Sequence, residues 1–318
     1  NNPGREYISG KGLRYPVKMS EHNTQKLNKI RNLSNEHVRM MTGKLNDLVS
    51  RIDKRLIIGF EEVLRDHTKG MVRERHLAQV LRMKAEEIYP DTEQRRSFYV
   101  RLTGDHAGEL DVTDSGQTEI FIRSALLKSG GAAFVEEDPE IFIEPEEIRD
   151  IILDAGGIPT YPFLADYNDG RYTDFESDKE KASDRLLEPR FFSAEFIPGR
   201  NDYDLFREYV LYLHGKGFLI TFGTEHNSPG KKPVEVFGGG NTKPDDELLK
   251  INYEGACITA AHQYLSATEG AGYLDDRGTP KTAKKNKFIN LGERLIRATN
   301  TYFGPEDQQN NSPGTTRG

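Results

Sequence analysis

Short apolar runs alternate with helical patterns at least three times between Glu144 and His226. The segments between these runs, DKEKASDRLLE and DYDLFREYVLYLHGKG, predict helices, and a longer helix is predicted in DDELLKINYEGACITAAHQYLSA. Parallel strands joined by crossover helices produce this kind of alternation. We therefore predict consecutive β/α units over Glu144–Ser266, with parallel strands at Ile158–Tyr161, Phe192–Phe196 and Leu219–Phe222.

Helical patterns dominate the part of the chain before these units. Apolar residues at helical spacing predict one long helix or two shorter helices over Ser20–Ile52, and a further helix within Thr68–Tyr89 that Pro90 stops. Residues 1–20 show no clear period, so we expect a loop or a broken lead-in there. We divide the chain into a helix-rich lead-in or insertion (residues 1–130), β/α barrel units (131–305) and a polar, disordered tail (306–318).

The composition argues against several classes of function. The 318 residues carry a formal net charge of -7, which is unfavourable for a general nucleic-acid binder or a protein of anionic membranes. No apolar run approaches the ~20 residues that a membrane-spanning helix needs. The single cysteine, Cys257, cannot form an internal disulfide and suits a reducing cytosol. We therefore expect a cytoplasmic protein that acts on a small molecule.

Polar side chains follow each of the three predicted strands. They lie in Tyr161–Asp166, Glu195–Asn201 and Glu225–Asn227. In parallel α/β folds, ligands bind where the carboxyl ends of strands meet loops, so this pattern predicts one polar site at that edge. Structural alternatives exist for several of these residues: Tyr161 as a packed aromatic ring, Asp166 as a turn cap and Glu195 as a solvent-facing side chain.

The segment from Glu144 to Gly230 resembles the later half of the PHP-domain (polymerase and histidinol phosphatase) superfamily. The resemblance is carried by EEIRDIILDAGGIPTYPFLAD and FSAEFIPGRNDYDLFREYVLYLHGKGFLITFGTEHNSPG. It implies a distorted (β/α)7-type barrel with divalent metal ions at the carboxyl ends of its strands, and a phosphoesterase activity. The family's opening His-x-His motif does not occur in this sequence. We therefore expect a barrel that is incomplete at its N-terminus and that carries a helical insertion.

The metal ligands that the resemblance implies depart from the family pattern. In GTEHN, Glu225 replaces the aspartate of Gly-Ser-Asp-x-His, Asn227 falls at the histidine and His226 takes the middle position. Tyr161 stands where the family has a metal-binding histidine. GFEE resembles the Gly-x-Glu of the family's middle strand, which makes Glu61 a further ligand. The resemblance thus implies one or two divalent ions of zinc, manganese or iron, held by Glu225, His226 and Glu61.

The other polar residues are assigned to catalysis and to substrate binding. We expect Glu195, Arg200 and Asn227 to act in catalysis, with Arg200 neutralising a substrate anion. We expect Tyr161, Asp166 and Lys231 to bind the substrate. The glycine run FGGGN is either an anion cradle or a flexible loop.

The predicted function is a metal-dependent hydrolase, most directly a phosphoesterase that acts on a small phosphorylated or otherwise anionic substrate. The same kind of barrel also serves a metal-dependent hydrolase or isomerase of a sugar acid or amide. A third alternative is a non-catalytic ligand-binding barrel with a degraded site. Metal content separates this last alternative from the two enzymes.

Overall fold

The computed structural model describes residues 7–163, 175–224 and 235–302. These residues form two compact units. One unit contains residues 21–143, and the other contains residues 7–20 together with the described residues from 144 onward. The division therefore falls later in the chain than the predicted boundary at residue 130, and it places the first described residues with the β/α part. Among the described residues, no helix is both long enough and apolar enough to cross a bilayer.

The unit of residues 21–143 is helical. It contains α1 (Glu21–Val49), α2 (Phe60–His67), α3 (Glu74–Ile88), α4 (Thr92–Thr103) and α5 (Ser115–Ile122). The helical spacing over Ser20–Ile52 thus belongs to one long helix, whereas the helix predicted within Thr68–Tyr89 begins only at Glu74. Apolar side chains from these helices form a single buried core, which includes Leu45, Val49, Leu77, Leu81 and Phe98.

A four-stranded sheet organises the second unit. Its strands are β1 (Ser9–Lys11), β2 (Ile158–Phe163), β3 (Ser193–Phe196) and β4 (Leu219–Phe222), in the order β1-β2-β3-β4. The pairs β2–β3 and β3–β4 are parallel, which confirms the three predicted strands and their direction. The expectation of a loop over residues 1–20 is wrong at Ser9–Lys11, because this strand pairs antiparallel with the start of β2.

Five helices accompany the sheet: α6 (Pro145–Asp154), α7 (Lys179–Leu187), α8 (Tyr203–Gly215), α9 (Asp246–Thr268) and α10 (Lys285–Tyr302). One face of the sheet, which we call the α8 face, packs against apolar residues of α7 and α8. Its strand residues are Tyr161, Phe163, Ala194, Phe196 and Ile220.

The opposite face of the sheet, which we call the α9 face, packs against α9 and α10. Ile158 and Leu219 contribute to this core from the sheet, Ile258 and Ala261 from α9, and Phe288 from α10. Successive side chains of a strand point to opposite faces, so the residues of the two clusters alternate along each strand. The described sheet therefore has helices on both faces.

Helix α9 also covers the outer edge of β4. The side-chain Oδ1 of Asn252 accepts a hydrogen bond from the backbone N–H of Phe222 at 2.8 Å. A Cβ atom placed on Gly255 would lie only 1.9 Å from the backbone oxygen of Ile220, so the helix approaches the strand as closely as a glycine permits. A further strand cannot pair at this edge while α9 occupies it. The described residues therefore form an open sheet, and the predicted (β/α)7 barrel is not confirmed.

Candidate functional site

Three polar side chains meet on the α9 face near the carboxyl ends of β3 and β4. The ammonium nitrogen of Lys11 lies 2.5 Å from Oε1 of Glu195 and donates a hydrogen bond to Oγ1 of Thr221 at 2.7 Å. The side chains of Lys11 and Glu195 are 19% and 24% exposed, so solvent still reaches both. We call Lys11, Glu195 and Thr221 the Lys11 cluster.

Strand register brings the cluster together. Glu195 and Thr221 are direct partners in the parallel pairing of β3 with β4. Each precedes a phenylalanine of the α8 face, so both side chains point to the α9 face. Lys11, the last residue of β1, adds its ammonium group to this pair. The cluster therefore depends on three strands that are far apart in the sequence.

A second polar pair lies on the same face, two residues before Glu195 in β3 and beside that position in β2. Thr160 and Ser193 are both completely buried, and Oγ1 of Thr160 lies 3.0 Å from Oγ of Ser193. Oγ1 of Thr160 also donates to the backbone oxygen of Ile158, at 3.1 Å. These hydroxyls satisfy their hydrogen bonds inside the protein, as buried polar groups must. They support the sheet below the Lys11 cluster and do not reach solvent.

Gly223 leaves space for the Glu195 carboxylate. A Cβ atom at this position would lie 2.7 Å from Oε1 of Glu195 and 3.2 Å from its carboxyl carbon. Any larger residue here would therefore displace the carboxylate or the strand end. This requirement gives the glycine that precedes TEHN a structural explanation.

Tyr161 lies on the face of the sheet opposite to Glu195. Its ring belongs to the aromatic core of the α8 face, and its hydroxyl donates to Oε1 of Glu176 at 3.0 Å. The hydroxyl of Tyr209 donates to the backbone oxygen of Glu176. Since Tyr161 pairs with Ala194, the neighbour of Glu195, the two side chains point in opposite directions. The prediction that Tyr161 and Glu195 share one cleft is wrong, and the packed aromatic ring describes Tyr161 correctly.

The segment that follows β3 carries Arg200 and packs against the glycine run. Arg200 ends a short turn of 3₁₀ helix, Pro198–Arg200, and is partly exposed. The next residue, Asn201, is buried, and its backbone oxygen accepts a hydrogen bond from the N–H of Gly239 at 2.8 Å. A Cβ atom on Gly239 would lie 2.4 Å from that oxygen. The glycine run therefore permits close backbone packing at the end of β3.

Glu61 does not lie on a strand. The GFEE segment begins α2 in the helical unit, with Gly59 at the N-cap and Glu61 in the first turn. The Glu61 side chain is 67% exposed and forms an ion pair with Arg39, with 2.7 Å between Oε1 and Nη2. The predicted strand position is wrong, because acidic residues here favour the start of a helix. Five other predicted site residues, Asp166, Glu225, His226, Asn227 and Lys231, lie outside the described residues.

His262 is a structural residue of the sheet unit. Its side chain is 3% exposed, its Nε2 lies 3.0 Å from the backbone oxygen of Gly156, and its Nδ1 accepts from the N–H of Tyr273 at 2.9 Å. Burial lowers the pKa of His262 to about 4. This arrangement fits a neutral imidazole that uses both nitrogens within the protein, so neither is available for a metal.

The described residues do not fit a divalent metal centre. In residues 7–163, 175–224 and 235–302, no group of three or more His, Cys, Asp or Glu side chains is arranged to hold a metal ion. The Lys11 cluster offers one carboxylate, and one oxygen of that carboxylate is engaged by an ammonium group. A metal site in this chain would therefore need ligands beyond those that the structure describes.

A surface groove of about 430 Å³ lies between α9 and α10 in the same unit. Its lining includes Tyr15, Gln263, Tyr264 and Leu295, and it contains no acidic or basic side chain. A catalytic or metal site needs such groups, so this groove is a weaker candidate than the Lys11 cluster.

Comparisons with known proteins give two weak structural likenesses. No known family profile and no curated protein matches the chain. A suspected metal-dependent phosphoesterase from Bifidobacterium adolescentis is similar with a TM-score of 0.41 at 15% identity, covering 72% of this chain and 65% of its own. An amidohydrolase from Chromobacterium violaceum, solved with sulfate and without metal, is similar with a TM-score of 0.42 at 15% identity, covering 79% and 74%. Such low TM-scores do not establish a shared activity.

Proposed function

We propose that this chain is a hydrolase, most directly a phosphoesterase, with its site on the α9 face at the carboxyl ends of β3 and β4. One observation carries the proposal: a solvent-accessible carboxylate, Glu195, is held by the Lys11 ammonium, which also donates to the Thr221 hydroxyl, at this edge of a parallel sheet. Ligand sites of open α/β sheets lie at this edge. The sequence supports the same place, because Glu225 and Asn227 follow Gly223 by two and four residues.

Glu195 is assigned the role of general base. In hydrolysis, an attacking water must lose a proton as it bonds to the phosphorus or carbonyl carbon, and a positioned carboxylate can accept that proton. The proton then passes to the leaving oxygen or nitrogen, so water is the only co-substrate. Lys11 holds the carboxylate in place, Thr221 accepts a second hydrogen bond from Lys11, and the space beside Gly223 keeps the carboxylate accessible.

The remaining assignments rest on the sequence alone. Arg200 and Asn227 would neutralise or orient an anionic substrate, with Asp166 and Lys231 as further binding residues. The zinc, manganese or iron ion that the resemblance implies would depend on Glu225, His226 and Glu61, and Glu61 is paired with Arg39 in the first turn of α2. Such an ion supplies a Lewis acid and a hydroxide nucleophile when it is bound. We assign no step to it, because the described donors do not fit a metal centre.

A second candidate function is a binding module without catalysis. It is favoured by the ion pair between Lys11 and Glu195. A carboxylate that is tightly paired with an ammonium group can fix the charge pattern of a ligand site without accepting a proton. The two candidates predict different results for the Glu195→Gln variant. Hydrolysis requires the carboxylate as a base, whereas binding requires only the shape and the donors of the site.

The test is a hydrolysis assay on the purified chain with phosphomonoesters, phosphodiesters, esters and amides, each with Mn²⁺, Zn²⁺, Fe²⁺ or a chelator. For the substrate that is turned over, we expect Glu195→Gln to lower kcat by about a hundredfold or more, the usual effect of losing a general base. Glu269→Gln is the matched control, because Glu269 is an exposed acidic residue at the end of α9.

Two results would contradict the proposal. Turnover that Glu195→Gln leaves unchanged would place the reaction elsewhere. A chain that is folded and hydrolyses none of the four substrate classes under any of the metal conditions would favour the binding module.

A further inference from the structure

The ammonium group of Lys11 lies where a cation bound to Glu195 would lie. Divalent ions bind carboxylate oxygens directly, and Nζ of Lys11 donates to one such oxygen, Oε1 of Glu195. Thr221 supplies a hydroxyl oxygen as a second partner, at 2.7 Å. The ammonium thus contacts two oxygen atoms of the kind that a hard cation binds.

A metal ion and Lys11 cannot share Glu195 favourably. An ion on either carboxylate oxygen would lie within about 6 Å of the ammonium, and two like charges at that distance repel in a partly buried site. Within the described part of the chain, Glu195 is the one carboxylate paired with Lys11, so no second carboxylate there offsets this repulsion. The geometry therefore favours Lys11 alone over a metal ion beside Lys11.

Lys11 retains a hydrogen-bond donor for a ligand. An ammonium group has three N–H donors. Within the described residues, Glu195 and Thr221 accept two of them, and the side chain remains 19% exposed. A third N–H on a positively charged group near the ends of β3 and β4 is suited to an anionic oxygen, such as one of a phosphate group.

We infer that Lys11 is the fixed cation of this site: it takes the position of a divalent ion on Glu195 and binds an anionic oxygen of the ligand through its third N–H. The inference rests on the proposed function for the location of the substrate. It changes the expected chemistry at Glu195, because the positive charge that stabilises a substrate anion there comes from the chain itself. Any metal in the protein would bind away from Glu195.

Isothermal titration calorimetry of the full chain tests the inference in two ways. Titration with inorganic phosphate tests anion binding by Lys11, and titration with MnCl₂ tests whether Glu195 binds a metal ion. Lys11→Met removes the charge at similar length, and Lys11→Arg, which keeps the charge, is the matched control. We expect Lys11→Met to weaken phosphate binding about ten- to hundredfold, as for the loss of one charge-assisted hydrogen bond, and Lys11→Arg to retain most of it. We also expect any Mn²⁺ binding by the wild type to be unchanged in Glu195→Gln, because Lys11 occupies that carboxylate.

The inference would be overturned by wild-type Mn²⁺ binding that Glu195→Gln abolishes, since Glu195 would then be a metal ligand beside Lys11. Phosphate binding that is absent in the wild type, or that Lys11→Met leaves unchanged, would also overturn it. The Mn²⁺ comparison of wild type with Glu195→Gln does not require Lys11→Met to fold. These titrations do not depend on turnover, so a failure of the hydrolysis assay and a failure of this inference are separate results.

Discussion

His262 makes the stability of the sheet unit depend on pH in a predictable direction. The imidazole is 3% exposed, Nε2 lies 3.0 Å from the Gly156 oxygen, and Nδ1 accepts from the Tyr273 amide at 2.9 Å. Burial is the main cause that lowers the pKa to about 4, and the nearby charge of Lys281 lowers it further. The bond with Gly156 acts in the opposite direction. Protonation at Nδ1 would also break the hydrogen bond from Tyr273.

The direction in which stability changes with pH follows from the lowered pKa of His262. As the pH falls below 6.5, the unfolded chain takes up a proton on this residue before the folded chain does, so acid favours unfolding. The stability that the neutral His262 side chain contributes is fully present above pH 6.5 and is lost progressively as the pH falls to about 4. At 1.36 kcal/mol for each unit of pKa difference, the loss amounts to at most about 3 kcal/mol.

Two measurements check this prediction. Urea unfolding between pH 4.5 and 7.5 should show a steeper loss of stability for the wild type than for His262→Asn, and His22→Asn, which alters an exposed histidine, should follow the wild type. Histidine NMR resonances followed during a pH titration should give one residue with a pKa well below the usual value. Parallel pH dependences for wild type and His262→Asn, or a His262 resonance that titrates near 6.5, would contradict a lowered pKa for His262.

Two further predictions concern packing. Gly255→Ala should lower stability by about 2 kcal/mol or more in thermal melts, because its Cβ would clash with the oxygen of Ile220, whereas Gly215→Ala, with open space around the added Cβ, should be neutral or stabilising. Equal melting temperatures for the two variants would contradict the contact of α9 with β4. Tyr161→Phe should cost about 1–3 kcal/mol by leaving Glu176 without one partner, and it should leave phosphate affinity unchanged. A loss of phosphate binding without a loss of stability would show that Tyr161 lines the ligand site.

Local patterns predicted the parallel strands and most of the helices around them. The apolar runs at β2, β3 and β4 are bounded by glycine and polar residues, and such signals act within a few residues of the chain. Strand β1 was missed because SGK is too short to show an alternation. The barrel was predicted from resemblance, whereas the end of the sheet at β4 depends on Asn252 and Gly255 of a helix that covers this edge from far along the chain.

The candidate site was predictable only in part. Glu195 could be found because it lies near the end of an apolar run. Lys11 lies 184 residues away in the sequence, and only the register of β1 brings it to Glu195, so no local signal marks it. The face of the sheet on which Tyr161 lies also depends on register. Alternation shows which residues of one strand share a face, but only the pairing register shows which residues of the next strand lie on that same face. Glu61 had a usable signal: two acidic residues in the first turn favour a helix start.

The most direct test of an anion site at Lys11 is a crystal structure of the chain soaked with tungstate, a heavy analogue of phosphate whose position anomalous scattering identifies. We predict anomalous density on the α9 face, within hydrogen-bond distance of Lys11 and beside Glu195 at the ends of β3 and β4. Density confined to other surfaces, such as the groove between α9 and α10, with Lys11 still bound only to Glu195 and Thr221, would contradict it.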